Sequence, residues 1–322
     1  MRYIIICLFV LFSKLSFASH IIGGDIYYNY LGNNQYRFFI TLYRDCNSTG
    51  AEYDNPLKLA IYLGGNLYQN IDVPFPGSTV LPVIFNNPCA TPPTNICVER
   101  AIYTVVVTLP PSPNGYTIAY QRCCRGPNVT NLNNPDDTGI TLSTTIPGSG
   151  SNYYQNSSPR FVNYPPILLC NNDNLVFNHV ATDPDGDQLV YSLVTPNAGA
   201  NSINPLPAQT PPPPYPPVNW AGGYSAATPL GPGSSVSIDP VSGILNVNPN
   251  MIGLFVVGVR VQEIRNGVII GQTVRDFLFR VFNCNITMQA ILPTQEQLPT
   301  FISYCQGLTV QFDNNSYGGS SY

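Results

Sequence analysis

Proline and glycine interrupt this chain too often for a helix of ordinary length to form. The 322 residues include 32 prolines and 26 glycines. Proline removes a backbone donor, and glycine costs backbone entropy inside regular elements. No useful segment carries a capped 3.6-residue apolar period. Short alternating or β-branched runs recur instead, at residues 24–30, 36–44, 57–63, 101–109, 116–122 and 139–146. Runs of this kind, bounded by Gly, Pro and Asn, read as strands. They predict roughly seven strands before residue 148, enough for a sandwich. Residues 103–109 are almost continuously apolar and read as a central strand.

A second series follows at residues 167–170, 175–177, 188–194, 235–238, 243–247, 253–263 and 273–283. Asn266-Gly267 between the last two is the strongest short hairpin signal. A long insertion, 196–233, interrupts this series. Eight of the thirteen residues from 205 to 217 are proline, so that stretch is extended and cannot enter a sheet. Residues 308–312 begin a third alternation with no partner strands, and a lone strand is not stable. The expected class is all-β: a sandwich over 19–148, a connector over 149–163, a second sandwich over 164–285, and a truncated domain start within 286–322. The chain is read as the N-terminal part of a longer protein.

Arg2, the apolar run 3–12 and Ser16-Phe17-Ala18 have the order of a secretory signal peptide over 1–18. Ser13 and Lys14 end the apolar run before the roughly 18 residues that a membrane anchor needs. No later stretch is long and apolar enough to span a bilayer, so the mature chain is expected outside the cell or on its surface. Charged residues are 9% of the chain and the net charge is −4. With no basic run, nucleic acid is a poor partner.

Cys7 leaves with the signal peptide. The remaining cysteines are Cys46, Cys89, Cys97, Cys123, Cys124, Cys170, Cys284 and Cys305. In an exported chain they read as disulfides, with about 105 possible pairings. Zinc is disfavoured because His20 and His179 lie far from the short cysteine spacings. Cys89–Cys97 is expected to close one loop, and Cys170–Cys284 to join the ends of the second domain. Cys46 is expected to pair with Cys123 or Cys124. Cys305 is left for a partner elsewhere.

The densest acidic cluster is Asp183-Pro184-Asp185-Gly186-Asp187. Three alternating carboxylates around a turn glycine suit a hard cation such as Ca²⁺. The alternative is an Asx-rich turn. It is not an EF-hand, since Gln188 and Val194 stand where that loop needs Gly and Glu. Asp173, Asp276 and Glu263 are further candidate donors. Asp239 reads as a turn cap, Asp136-Asp137 as a turn, and Arg44 and Arg122 as structural ion-pair partners. No nucleophile elbow, phosphate-binding glycine loop or marked carboxylate pair supports an enzyme.

Two regions carry a family resemblance. His179-Val180-Ala181-Thr182-Asp183-Pro184-Asp185-Gly186-Asp187, with residues 237–247 and 253–261, resembles a cadherin-like or immunoglobulin-like repeat of bacterial surface proteins. The resemblance implies calcium at Asp183, Asp185 and Asp187, near a domain junction. Residues 19–28, Tyr43-Arg44-Asp45-Cys46 and Tyr120-Gln121-Arg122-Cys123-Cys124-Arg125 resemble the opening of large Bacteroidetes surface proteins. Those continue into PKD (polycystic-kidney-disease-type) domains and end in gliding-motility-associated sorting domains used by type IX secretion. Val310-Gln311-Phe312-Asp313-Asn314-Asn315-Ser316 is similar to a first PKD strand. The resemblance implies a non-catalytic surface or adhesion protein, with other surface proteins or extracellular glycans as partners. The alternative is a carbohydrate-binding region of a secreted degradative enzyme, with Trp220, Tyr215 and Tyr224 as its aromatic platform.

Overall fold

The computed structural model describes residues 21–83, 93–150 and 153–284. Among them 49% are in strands and none in an α-helix. The N-terminal series comprises β1 (Ile21–Gly32), β2 (Gln35–Asp45), β3 (Leu57–Leu63), β4 (Asn66–Val73), β5 (Thr79–Val80), β6 (Val98–Thr108), β7 (Tyr116–Arg122) and β8 (Ile140–Ile146). The C-terminal series comprises β9 (Arg160–Phe161), β10 (Leu168–Cys170), β11 (Leu175–Asn178), β12 (Ala181–Thr182), β13 (Gln188–Val194), β14 (Ser235–Ile238), β15 (Ile244–Asn248), β16 (Gly253–Arg265) and β17 (Val268–Phe282). At the predicted hairpin, Asn266 and Gly267 both adopt positive φ, 54° and 78°, as a tight turn requires.

One eight-stranded sheet takes strands from both series, in the order β13-β16-β17-β1-β2-β6-β5, with β10 also on β17. The sheets β4-β3-β7-β8 and β11-β15-β14 cover it. Gly24 stands opposite Leu42 and Asp276, and Gly23 opposite Tyr43 and Phe277. Opposed residues share a face and successive residues alternate. Leu42 belongs to the first core, with Tyr28, Phe38, Ile61 and Ile118. Phe277 belongs to the second, with Leu245, Phe255 and Val259. The two cores therefore lie on opposite faces of the shared sheet. A Cβ on Gly23 would lie 2.2 Å from Asp276 O, and one on Gly24 2.4 Å from Thr41 O. That close approach explains the glycine pair.

Arg275 and Asp276 pin the joint between the two series. Arg275 Nε donates to Asp25 Oδ2 at 2.7 Å on one face. On the other, the Arg125 guanidinium grips both oxygens of Asp276 at 2.9 and 2.5 Å. All four residues are buried. A third, smaller core of Val129, Leu132, Val218, Val256 and Leu278 fills the seam beside Arg125. Arg122 and Arg44 are also paired, with Asp54 at 3.2 Å and Glu99 at 2.7 Å.

The cysteine pairing differs from expectation. The β2–β6 ladder ends at Asp45 opposite Val98, which brings Cys46 to Cys97 with Cα atoms 5.3 Å apart. Cys46 therefore does not pair with Cys123 or Cys124, and Cys97 does not pair with Cys89. Cys123 bonds its neighbour Cys124. Cys170–Cys284 forms as expected, where β10 runs parallel to the end of β17. Cys89 and Cys305 lie outside the described residues, as do the signal-peptide and PKD-like stretches.

One other reading changes and one holds. The polar stretch after residue 150 is not a solvated connector, because Asn156, Ser157 and Ser158 are buried as a strap against β1. Ser158 N donates to Tyr28 O at 2.9 Å, and Tyr28 N to Ser158 Oγ at 2.8 Å. The proline-rich insertion enters no sheet beyond isolated bridges at Asn197, Pro217 and Trp220. It lies across the N-terminal series, where Pro205 O accepts from Cys123 N at 2.9 Å.

Removing one partner of a buried ion pair strands the other charge. Asp276→Ala should cost about 3–5 kcal/mol of unfolding free energy, read by denaturant titration. The double variant Arg125→Met/Asp276→Leu should lose less than either single change. A larger loss would contradict the argument.

His179 is packed against Phe161, Phe177 and Phe277, and neither ring nitrogen has a hydrogen-bond partner. Burial, aided by the charge of Arg275, holds its pKa well below the ordinary 6.5. The unfolded chain takes up that proton first. The stability this ring contributes is present above pH ~6.5 and is lost as pH falls, by at most about 1.4 kcal/mol per pH unit. His179→Phe should flatten the stability profile between about pH 6.5 and 5, and an unchanged slope would rule out His179 as its source.

Candidate metal centre

The turn from β12 to β13 carries Asp183, Asp185 and Asp187. Gly186 takes φ 80°, which a residue with a Cβ rarely adopts. Asp183 Oδ1 accepts the backbone N–H groups of Asp185 and Asp187 at 2.9 and 3.1 Å. This is the Asx turn that the sequence offered as the alternative to a cation site. The turn also gathers one carboxylate oxygen from each of the three aspartates to within 4.8 Å of one another.

Glu263 joins them from β16. It is fully buried. Its Oε1 accepts from Asn156 Nδ2 at 2.8 Å, whereas Oε2 and the neighbouring Asp183 Oδ2 are buried with no polar partner except the other carboxyl. Space for the carboxyl comes from Gly271, opposite Glu263 on β17, where a Cβ would lie 1.8 Å from Oε1. Burial pushes Glu263 up to about 8, the Asn156 hydrogen bond opposing it and the charge of Asp183 adding to it. Burial likewise raises Asp183.

One cation faces these four carboxyls. Arg265 holds both oxygens of Asp187 at 2.7 and 2.6 Å and approaches Asp185 at 3.5 Å. It also donates to Asn156 Oδ1 at 2.8 Å. Ser157 N donates to Asp185 Oδ2 at 2.6 Å. The cluster is therefore built from the acidic turn, the end of the long β16–β17 hairpin, and the strap that binds β1. Chemically it offers hard oxygen donors with excess negative charge, which suits Ca²⁺ or a similar cation.

The other candidates lie elsewhere. Asp276 is held by Arg125, and Asp173 sits in the turn after β10, with its N–H on Cys170 O. Asp239 Oδ1 accepts from Val241 N and Ser242 N at 3.1 and 2.7 Å, the expected cap. Asp137 accepts from Ser202 N and Oγ. Trp220 packs in the seam core, while Tyr224 leans on Phe255 in the second core. Those cores lie on opposite faces of the sheet, so the aromatic residues form no common platform. Asn156, Ser157 and Arg265 were not singled out in the sequence. The Asn-Ser-Ser run at 156–158, short polar residues that read as connector, was the only mark of the strap.

The fold and this cluster define an all-β double sandwich with disulfides and a carboxylate cluster set around the buried Glu263. No helix among the described residues is long and apolar enough to cross a membrane. No protein-family model matches the chain, and a search of curated proteins finds no relative. The resemblance to surface-protein repeats thus rests on the chain's own residues.

Gly271→Ala would press a methyl group into the Glu263 carboxyl. Overpacking of this kind costs about 1–3 kcal/mol, measurable by denaturant unfolding without added metal. A loss below about 0.5 kcal/mol, the ordinary range for an exposed site, would show that the glycine does not cradle Glu263.

Proposed function

We propose that this chain is a non-catalytic structural or adhesive part of an exported surface protein. It holds Ca²⁺ through Asp183, Asp185, Asp187 and Glu263. The observation that carries the reading is that Asp183 and Glu263 bury oxygens that meet only each other, beside a strap that ties both cores together. A cation there would neutralise charge that Arg265 alone does not balance. It would also fix Asn156 and Ser157, and through them the strap's hold on β1, where Tyr30 N donates to Ser157 Oγ at 3.1 Å. Three disulfides and the shared sheet support a role that depends on keeping shape outside the cell.

Thermal melting tests it. Ligand at a hundredfold excess over Kd stabilises by about 2.7 kcal/mol, so Ca²⁺ should raise the midpoint by several degrees and excess chelator should reverse the rise. Asp185→Ala and Glu263→Gln should each abolish the response. An identical midpoint with Ca²⁺ and with chelator would remove the calcium reading.

A further inference from the structure

We propose that the seam between the two cores binds a small carboxylate with an apolar body. This site is separate from the carboxylate cluster and does not depend on it. A cavity of about 290 Å³ opens where β1, β10 and β17 meet. One edge of β17 is shared there. β1 takes Asp276 and Phe277, and β10 takes Arg280, Val281 and Phe282, leaving Leu278 and Phe279 without a partner strand on that edge. The cavity is the space this break leaves. Its walls include Ile22, Val129, Leu168, Leu254 and Leu278.

Charge at the mouth selects the ligand. Three charged side chains line the cavity: Arg125, Asp45 and Arg280. Arg125 is committed to Asp276. Asp45 Oδ1 is committed to Asn47 N at 2.9 Å. Arg280 makes no side-chain hydrogen bond among the described residues. Its one ionic contact is Nη2 to Asp45 Oδ2 at 3.5 Å, with both side chains part-exposed at 38% and 24%. A guanidinium carries five N–H donors and two edges that receive a carboxylate bidentately. Asp45 approaches Nη2 alone, so among the described residues the other donors of the guanidinium have no recorded acceptor. An anionic head can therefore dock on Arg280 while an aliphatic body fills the wall below, the usual division of a ligand pocket. The lining contains no aromatic ring, which disfavours a sugar that would need a stacking face.

The free acid and the C-terminus of a protein chain share this chemistry. Isothermal titration of the full chain separates them, using hexanoate and N-acetyl-Gly-Ile, with hexanamide and the amidated dipeptide as uncharged controls. At least one acid should bind tenfold or more tightly than its amide. Binding of hexanoate alone identifies a free acid as the source, and binding of the dipeptide alone identifies a chain terminus. Arg280→Gln should weaken the acid at least tenfold with an unchanged melting midpoint. Asp45→Asn should tighten it by removing the opposing charge. The proposal is overturned if neither acid binds, if acid and amide bind equally, or if Arg280→Gln has no effect. Weaker binding in Asp45→Asn would also overturn it, since that would mean the ligand's positive group is the one recognised.

Discussion

Arg275 and Asp276 sit side by side on β17, and the rest of the molecule is arranged around their opposite charges. Neighbours on a strand point to opposite faces, so each needs its own partner on its own side. Asp25 meets Arg275, and Arg125 meets Asp276. Further contacts complete the solvation that water has lost: Arg275 donates to Asn163 O and lies over Phe161, and Arg125 donates to Gly139 O. Such pairs add little net stability over apolar residues of the same size. Their force is in registry. A slip of one residue between β1 and β17 would turn both charges to the wrong faces and leave four buried ions unmatched. Two cores on opposite faces of one sheet can be joined in this register and in no neighbouring one.

Three features lie along the resulting seam. At the far end of the β16–β17 hairpin the acidic turn meets Glu263 and the strap. In the middle are the ion pairs and the glycines that let β1 close on β17. At the near end the edge of β17 changes partner and leaves a cavity. The disulfides Cys46–Cys97 and Cys170–Cys284 lie at this near end, one beside the mouth and one just past the end of β17.

Much of the strand pattern was legible. β3, β7, β13 and β14 fall on the residues that the short apolar and β-branched runs mark, although β3 and β7 are buried on both faces. β4 was not legible. It is an edge strand, exposed over most of its length, so Asn66, Gln69 and Asn70 carry no apolar period. The acidic turn and Glu263 were visible as donors, but Asn156 and Arg265 were not, since only folding brings residue 156 beside residue 263. The shared sheet was hidden for the same reason. Nothing local in Gly23-Gly24 says that its partners are Phe277 and Asp276, at the other end of the described chain, and a connector-like composition at 149–163 argues for separation. The cysteine at 46 was assigned to the wrong partner because pairing follows the β2–β6 register, which spacing does not encode.

The position of Ile22 has a mechanical consequence. Ile22, at the start of β1, and Arg280, near the end of β17, line one cavity. Cys284 follows four residues later, a span of about 13 Å at strand rise. The described chain thus comes in and goes out at almost the same place. A pull on the chain beyond Cys284 would therefore load the end of β17 and, through the Cys170–Cys284 bond, β10 together, while β1 would feel it only through its pairing with β17.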